Sequence, residues 1–171
     1  QGFCRAIIES GLDISWRCIL YPNRLSPGLV EDMARAGCSE VSLGFESGNS
    51  NVLASLNKKF SKDDVRHDAS LLADYGIKRL GFLLLGGPGE TKDSVEESLD
   101  FAENLKLESL KISVGIRIYP QTELARRARE EKVIAADDSL LFPRFYLRPE
   151  LEGWLQDRVA EWSAQRPGFV V

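Results

Sequence analysis

Apolar and polar residues recur with two different periods along the chain, and these periods predict its secondary structure. Short apolar runs at residues 14–20, 40–45, 80–86 and 109–119 are typical of β-strands. The segments between them place apolar residues three and four positions apart, which indicates helices with one buried face. Strands that alternate with helices of this length form a mainly parallel sheet through right-handed crossovers. The pattern therefore predicts an α/β protein with about four parallel strands in sequential order.

Polar residues at the predicted helix starts support these boundaries. Ser26 precedes Pro27, which is the order expected of an N-cap and the first helical position. Ser61 and Asp64 have the spacing of a capping box, in which each side chain bonds to the backbone of the other residue. Thr91 is placed to cap the helix that follows the third strand. The helices are therefore expected to begin close to these residues.

Alternation within the second and fourth strands separates two faces of the sheet. The rows expected to face the helices are Val41, Leu43 and Phe45 in the second strand and Ile112, Val114, Ile116 and Ile118 in the fourth. The opposite rows are small and polar, and they include Glu46 and Arg117. Charged side chains are costly in an apolar interior unless they are paired. We therefore expect either a polar ligand on this face or an internal ion pair between Glu46 and Arg117.

The third predicted strand ends in a glycine-rich turn. Residues 80–85 are almost uniformly apolar, which predicts a strand buried on both faces. Gly86, Gly87 and Gly89 follow, and without a Cβ they let the backbone approach whatever lies at the carboxyl end of the strand. A strand, a tight turn and a helix in this order are typical of the active-site edge of a β/α unit.

The last part of the chain, residues 135–171, has a different pattern. Residues 137–149 show no clear period and predict a loop. Residues 150–165 predict an amphipathic helix. Its apolar stripe consists of Leu151, Trp154, Leu155, Val159 and Trp162. Packing of this stripe on the preceding domain is favoured over a surface that binds a partner.

Composition limits the functions to be considered. The chain has 171 residues, a net charge of −4 and 43% hydrophobic residues, which fits one domain with a sizeable core. This charge predicts neither nucleic acid nor a membrane as a partner, and no apolar run approaches the length of a membrane span. Three cysteines without a secretory leader predict reduced thiols and a cytoplasmic protein. A start at Gln1, with Met33 as the only methionine, predicts a piece of a longer protein.

Four sequence motifs occur in a characteristic order. They are residues 37–48 (GCSEVSLGFESG), 52–58 (VLASLNK), 81–91 (GFLLLGGPGET) and 118–122 (IYPQT). Together they closely resemble the radical S-adenosylmethionine (SAM) enzymes, in the Fe–S oxidoreductase branch that is often joined to a cobalamin-binding domain. The resemblance extends from about residue 3 to residue 133.

This resemblance implies a partial (β/α) TIM-like barrel over residues 1–134, with helices on the outer face. It also implies that the full-length protein cleaves SAM reductively at a 4Fe–4S cluster, and it leaves open whether cobalamin is a further cofactor. The family holds the cluster with three closely spaced cysteines, whereas Cys4, Cys18 and Cys38 lie far apart in the sequence. These cysteines are expected to be buried structural residues. The chain would then be the C-terminal part of the barrel, without its N-terminal half and inactive by itself.

The resemblance also implies roles for individual residues, none of them catalytic or metal-ligating. Glu46 and Ser47 would bond to the ribose or amino group of SAM, and Arg117 would meet a carboxylate. The residues expected near the adenine are Leu84, which would pack on the ring, Gly86 and Gly87, which would let the backbone approach, and Ile118 and Tyr119, which would flank its edge. Glu90 is expected to order the glycine turn by accepting backbone N–H bonds. Lys58 is either an anion contact or a solvent-exposed lysine.

Two other functions remain as alternatives. One is a non-catalytic half-barrel module that binds an anion or a protein partner. The other is an aldolase-like barrel enzyme, but no predicted strand end carries the lysine that a Schiff base requires. His67 is the only histidine and lies in a charged helix, which excludes a histidine-centred metal site or a Ser-His triad.

A half-barrel leaves sheet edges and an inner face without neighbours. The isolated chain is therefore expected to form a homodimer through these open edges. Alternatively, the tail would cover the opening with Phe142, Phe145, Tyr146 and Trp154.

Overall fold

The computed structural model describes residues 2–170. The helices are α1 (Gly2–Ser10), α2 (Pro27–Arg35), α3 (Ser50–Ser55), α4 (Lys62–Asp74), α5 (Lys92–Asn104), α6 (Glu123–Glu130) and α7 (Trp154–Ala164). The strands are β1 (Trp16–Leu20), β2 (Cys38–Glu46), β3 (Lys78–Leu85), β4 (Ser109–Val114), β5 (Ile116–Ile118) and β6 (Arg144–Tyr146). A 3₁₀ turn at Pro149–Leu151 precedes α7.

Strands β1 to β4 form one parallel sheet in the order β1-β2-β3-β4, as predicted. One or two helices connect each strand to the next, which is the connection that parallel strands require. The carboxyl ends of the four strands therefore lie along one edge, which we call the strand-end edge. This arrangement confirms the predicted α/β class and the partial TIM-like barrel.

Helices cover one face of this sheet. The aliphatic row of β2 (Val41, Leu43 and Phe45) is fully buried, together with Leu72 of α4 and Leu99 of α5. Full burial of an aliphatic side chain of this size contributes about 2 kcal/mol to stability. The predicted direction of the β2 row is therefore confirmed.

The predicted helix caps are also present. The side chains of Ser26, Ser61 and Thr91 each accept a hydrogen bond from the backbone N–H of the third residue after them. Asp64 completes its capping box by accepting from the N–H of Ser61 at 2.8 Å. These bonds satisfy N–H groups that would otherwise lack a partner in the first helical turn.

The other face of the sheet, which we call the open face, is only partly covered. Its residues are Arg17 and Ile19 of β1, Glu40, Ser42, Gly44 and Glu46 of β2, Leu80, Phe82 and Leu84 of β3, and Lys111 and Ser113 of β4. Within β3, Leu83 and Leu85 are buried, whereas Leu80, Phe82 and Leu84 are half-exposed. The prediction that β3 is buried on both faces is therefore wrong, because helices pack on one side only.

The fourth predicted strand, residues 109–119, consists of two strands. β4 ends at Val114, and Gly115 adopts a φ of +84°, a left-handed conformation that glycine accepts because it has no Cβ. The chain leaves the parallel sheet at this residue, and β5 pairs with β6 in an antiparallel ribbon. The alternation predicted through residue 119 is therefore wrong beyond Val114. The apolar pattern continues across the glycine although the partner strand changes.

The C-terminal part also differs in detail from the prediction. β6 lies within residues 137–149, which were predicted to be a loop, and α7 begins at Trp154 rather than at residue 150. Leu151, Leu155 and Trp162 are buried in the same core as the sheet. The apolar stripe therefore packs on the same core as the sheet. No helix within residues 2–170 combines the length and the apolar character needed to cross a lipid bilayer.

The two edges of the parallel sheet have different surroundings. At β4, the N–H of Leu110 donates to the carbonyl of Phe169 at 2.7 Å, so the end of the chain lies along that edge. At β1, no described residue adds a strand. The tail does not cover the open face: Ile19 remains 77% exposed, and Phe142 and Phe145 are themselves exposed. The alternative in which the tail covers the opening is therefore wrong.

Candidate functional site

Three side chains meet at the strand-end edge. Tyr21 follows β1, Glu46 is the last residue of β2, and Lys58 follows α3. Lys58 Nζ lies 3.1 Å from Glu46 Oε1 and 5.9 Å from the centre of the Tyr21 ring. We call these residues the strand-end cluster. The Glu46 and Lys58 side chains are 17% and 22% exposed, so the ion pair is partly shielded from water but remains accessible to a ligand.

The loop after α3 holds the tyrosine of this cluster. The backbone N–H of Lys59 donates to the Tyr21 hydroxyl at 2.8 Å, and the Phe60 ring packs edge-on against the tyrosine ring at 4.9 Å. Asn57 adopts a φ of +55°, which reverses the chain just before Lys58. Edge-on aromatic pairs are favourable. Tyr21 and Lys58 are therefore positioned by one short segment.

Glu46 has an unusual backbone conformation. Its φ is +63°, and the N–H of Ser47 donates to the carbonyl of Phe45 at 2.7 Å, which forms a three-residue turn around Glu46. Turns of this kind with positive φ are rare, and a non-glycine residue in this region costs about 1–3 kcal/mol. Gly44 leaves room for the carboxylate, because a Cβ there would lie 3.2 Å from Glu46 Oε1. Backbone strain of this kind clusters at functional sites, so Glu46 is the first candidate for a ligand contact.

Ser47 and Leu84 were both expected to contact SAM, and they face different surroundings. The Ser47 side chain is fully buried, and its hydroxyl lies 3.0 Å from the Ser98 hydroxyl of α5. It also accepts from the N–H of Asn49 at 3.1 Å. The Ser47 hydroxyl is therefore used inside the protein, which does not fit a contact with SAM. Leu84 lies half-exposed on the open face close to the end of β3, where a ligand can pack on it.

Glu90 orders the glycine turn, as predicted. Its Oε2 accepts from the N–H groups of Gly86 and Gly87, the second at 3.0 Å, and its side chain is 1% exposed. Its other oxygen, Oε1, has no hydrogen-bond partner among the described residues. Burial raises the pKa of the Glu90 carboxyl, against the lowering effect of the two backbone bonds. Glu90 is therefore a structural carboxylate that is costly to ionise.

The tail of the protein fills the space beside Gly86. A Cβ at this position would lie 2.3 Å from Leu147 Cδ1, and the N–H of Arg148 donates to the Gly86 carbonyl at 3.0 Å. A Cβ on Gly87 would lie 2.8 Å from Ile116 Cδ1. The close approach that was predicted for a ligand at these glycines is therefore occupied by other parts of the protein.

Arg117, Ile118 and Tyr119 lie on the β5–β6 ribbon and not on the sheet. Ile118 is buried in a small second core with Tyr146, so its side chain does not fit the predicted position beside an adenine. Arg117 and Tyr119 are exposed, and Arg117 Cζ lies 4.9 Å from the centre of the Tyr119 ring. The predicted ion pair between Glu46 and Arg117 is wrong, because Glu46 pairs with Lys58.

The three cysteines are closer together than their sequence spacing suggests. The neighbouring thiols of Cys18 of β1 and Cys38 of β2 influence each other, which lowers the pKa of Cys18 and raises that of Cys38, and Cys4 of α1 adds to the rise at Cys38. All three are free thiols, and Cys4 and Cys38 are buried. No group of three metal-binding side chains occurs among residues 2–170. Cys4 and Cys38 belong to the buried core, and Cys18 is partly buried against it.

Sequence reasoning missed Tyr21 and the pairing of Lys58. Tyr21 directly follows a predicted strand. Because the ends of parallel strands lie at one edge, this position could have indicated that Tyr21 belongs to the site. The position of Lys58 depends on the length of α3 and on the reversal at Asn57. No local pattern marks these features. Lys58 is neither fully exposed nor an isolated cation.

The part of the chain that carries the strand-end cluster matches a known protein family. The family model described as the Radical SAM superfamily matches residues 3–102, which is more than half of the chain. The match includes β1, β2, β3 and the whole strand-end cluster. The chain belongs to the radical SAM superfamily. The resemblance to the radical SAM enzymes is thereby confirmed, and three of the four sequence motifs lie within the matched residues.

The curated relatives of this chain are longer than the chain itself. It is 28% identical over 118 residues to an uncharacterized methyltransferase of Pyrococcus horikoshii, which covers 69% of this chain and 26% of that protein. It is 29% identical over 151 residues to the heme chaperone HemW of Mycobacterium tuberculosis, which covers 86% of this chain and 38% of that protein. The chain thus spans between about a quarter and two fifths of the length of these relatives.

Solved structures show the same fold. The radical SAM methyltransferase TsrM from Kitasatospora setae, solved with a tryptophan substrate and a SAM analogue, has a TM-score of 0.77 at 20% identity. This similarity covers 99% of this chain and 41% of TsrM. HemN of Escherichia coli, a coproporphyrinogen III oxidase, has a TM-score of 0.63 at 15% identity and covers 95% of this chain and 36% of HemN. At these identities the likeness is one of fold.

Proposed function

We propose that this chain is part of a radical SAM enzyme and that the strand-end cluster binds the amino acid end of SAM. The ion pair between Glu46 and Lys58 supports this proposal. SAM carries an α-ammonium and an α-carboxylate. The Glu46 carboxylate can accept hydrogen bonds from the ammonium or from ribose hydroxyls, and Lys58 can meet the carboxylate. When SAM binds, Glu46 and Lys58 can therefore each pair with the opposite charge of its amino acid end, so that no charge is left unpaired.

The open face supplies an apolar surface for the adenine of SAM. Leu84 and Phe82 are half-exposed neighbours on the same row of β3, close to the strand-end edge. Aliphatic and aromatic side chains pack well on a flat ring. The backbone N–H groups of Gly86 and Gly87 already bond to Glu90, so the glycine turn supports this surface and does not itself bind the ligand.

A 4Fe–4S cluster does not fit the cysteines of this chain. Three thiolate ligands must point to a common site, whereas Cys4, Cys18 and Cys38 lie within the core between α1 and the sheet. In our proposal the cluster, and the reductive cleavage of SAM at it, belong to another part of the full-length protein. Cobalamin is a candidate cofactor of the full-length protein, because TsrM has been solved with cobalamin and a [4Fe-4S] cluster. The residues of this chain would bind and orient SAM.

Measurement of SAM affinity tests this role of Glu46 and Lys58. In the full-length protein, Glu46→Gln and Lys58→Met should each weaken SAM binding by about 1–3 kcal/mol, the usual cost of losing a hydrogen bond to a charged group. Isothermal titration calorimetry provides the measurement. Glu40→Gln is the matched control, because Glu40 also lies on the open face of β2 and pairs with Arg17 at 3.4 Å. That variant should bind SAM as the wild type does.

Equal effects of Glu46→Gln and Glu40→Gln would contradict the assignment. A full-length protein that does not bind SAM at all would favour the alternative of a non-catalytic module that binds an anion or a protein partner.

A further inference from the structure

The exposed face of the β5–β6 ribbon carries an arginine beside two aromatic rings. Arg117 lies directly opposite Phe145 in the antiparallel register, and directly opposed residues project to the same face. Tyr119 follows two positions after Arg117 and shares this face. Phe145 and Tyr119 are 55% and 54% exposed. The opposite face of the ribbon is buried through Ile118 and Tyr146, which fixes the direction of the exposed side chains.

The Arg117 guanidinium is held by a ring and not by a carboxylate. Its Cζ lies 4.9 Å from the centre of the Tyr119 ring, a distance typical of a cation–π contact. Within residues 2–170 its side chain takes part in no hydrogen bond or ion pair. The other arginine of the ribbon differs, because Arg144 Nε lies 2.9 Å from Asp138 Oδ2. Stacking on a ring leaves the donors at the edge of a guanidinium available, so Arg117 can bind an anion.

The ribbon is fixed at the strand-end edge of the sheet. At its start, the N–H of Gly115 donates to the carbonyl of Leu85, the last residue of β3, at 2.7 Å. After β6, the N–H of Arg148 donates to the Gly86 carbonyl at 3.0 Å. The ribbon therefore starts and ends at the same edge as the strand-end cluster.

We propose that this face binds the substrate, and that the substrate is a planar aromatic molecule that carries a carboxylate. The inference rests on the proposed function, since a radical enzyme needs its substrate at the edge where SAM is bound. The planar guanidinium of Arg117 pairs with a carboxylate through two parallel hydrogen bonds. The rings of Phe145 and Tyr119 provide stacking surfaces for a flat ligand. In the proposed function the carboxylate of SAM pairs with Lys58, so Arg117 is available for the carboxylate of the substrate.

Two matched ligands test this proposal. Indole-3-acetate has the aromatic ring and the carboxylate, whereas indole-3-acetamide keeps the ring and lacks the charge. The full-length protein should bind indole-3-acetate saturably, and more tightly than the acetamide, in NMR titrations without SAM. Arg117→Gln should weaken binding of indole-3-acetate about tenfold and remove the preference, since it loses a charge-assisted hydrogen bond. Phe145→Ala should weaken both ligands by a similar factor.

Arg144→Gln is the control, because this arginine lies on the same ribbon and is already paired. It should change the affinity for neither ligand. The proposal is overturned if indole-3-acetate does not bind, if the two ligands bind equally, or if Arg117→Gln has no larger effect than Arg144→Gln. A surface for a protein partner, which the exposed Phe142 nearby would also suit, would give one of these three results.

SAM affinity measured on the same preparations separates this proposal from the proposed function. If the full-length protein binds SAM in a way that depends on Glu46 but does not prefer indole-3-acetate to the acetamide, only the substrate proposal is overturned. If the protein binds indole-3-acetate through Arg117 but does not bind SAM, the proposed function is overturned. The ligand site on the ribbon is then still supported.

Discussion

Glu46 and Glu90 are both carboxylates at the strand-end edge, and their surroundings give them different tasks. Glu46 is partly exposed, has a strained backbone and carries an ammonium partner, Lys58. Glu90 is buried and bonds only to backbone N–H groups. A charge that is accessible and already paired can exchange its partner for a ligand, whereas the Glu90 carboxylate is shielded from solvent and already bonded to two backbone N–H groups. We therefore assign ligand binding to Glu46 and turn formation to Glu90.

Replacement of Glu90 tests its structural role. Glu90→Ala leaves two buried N–H groups, of Gly86 and Gly87, without an acceptor, and each costs about 1–3 kcal/mol. We expect this variant to lower the free energy of unfolding by about 3 kcal/mol in urea denaturation followed by circular dichroism. Glu90→Gln keeps an acceptor oxygen and should cost clearly less. A glutamine variant as unstable as the alanine variant would show that the charge itself is needed.

The raised pKa of Glu90 adds a dependence on pH. A carboxyl group whose pKa is higher in the folded than in the unfolded protein binds its proton more tightly when folded. It therefore contributes most stability below its ordinary pKa of 4.5, and this contribution is lost as the pH rises through the folded value. On acidification from neutral pH, the wild type should therefore gain stability relative to Glu90→Gln, as measured by the unfolding free energies of the two proteins. A difference that does not change with pH would contradict the raised pKa.

At the residue scale, the sequence predicted the features that depend on local spacing. Strand alternation placed Glu46 on the open face, whereas the turn-forming role of Glu90 came from the family resemblance of its motif. The surroundings of Ser47 and Ile118 could not be predicted in this way. Ser47 bonds to Ser98 of α5, and Ile118 packs in the second core, so both depend on neighbours that are distant in the sequence.

At the scale of elements, the loop after β2 is held against α5. The N–H of Gly48 donates to the Ser98 hydroxyl at 3.0 Å, and the same hydroxyl contacts Ser47. A Cβ on Gly48 would lie 2.4 Å from Phe101 Cβ and 2.8 Å from Ser98 Cα. The helix and the loop therefore approach each other at a distance that only glycine permits. This contact fixes the end of β2 that carries Glu46.

Two glycine-to-alanine substitutions test this contact. Gly48→Ala forces the backbone of the loop away from α5 and should lower the free energy of unfolding by about 2–3 kcal/mol. Gly28→Ala is the matched control, because Gly28 lies in α2 and a Cβ there has nothing within 4 Å. Since alanine is the better helix former, this variant should be neutral or more stable by up to about 1 kcal/mol. Similar thermal unfolding of the two variants would contradict the close approach.

The strands and helices of the parallel sheet were predictable from sequence, whereas the ribbon was not. Periodicity and caps located β1, β2, β3 and the helices between them, because each has its own local signal. The fourth strand was predicted too long, since Ile116 and Ile118 continue the alternation of Ile112 and Val114. The change of partner at Gly115 depends on β6, a strand of three residues without a pattern of its own.

At the scale of the whole molecule, the open face and the free edge of β1 leave apolar groups in water. An unpaired strand edge offers free N–H and C=O groups to a second chain. We expect the isolated 171-residue chain to dimerise through this edge at high micromolar concentration, as judged by multi-angle light scattering. Ile19→Lys should favour the monomer, because lysine on an edge strand opposes pairing. Leu12→Lys, at an exposed position before β1, should leave the dimer intact. A monomeric wild type would contradict this prediction.

The same isolated chain should not assemble an iron–sulfur cluster. Cys4, Cys18 and Cys38 contribute to the core between α1 and the sheet, so they cannot present three thiolates to one site without unfolding that region. After anaerobic reconstitution with iron and sulfide, we expect iron well below the stoichiometry of one cluster per chain, with no cluster absorption in the visible range. A stoichiometric four-iron cluster would contradict the structural role of these cysteines.

Gly115, where the chain passes from the parallel sheet to the β5–β6 ribbon, separates two parts of the protein with different proposed roles. The residues proposed to bind SAM lie on β2 and β3, directly after β1 and in the loop after α3, within the region that the family model matches, whereas Arg117 and Phe145 lie beyond it. The two parts are joined through Gly115 and a few backbone hydrogen bonds, and the side chains of Leu147 and Ile116 pack closely beside Gly86 and Gly87. Under our proposal, new side chains on the exposed face of these two strands of three residues each would change the substrate that is bound, while the part that binds SAM keeps its sequence.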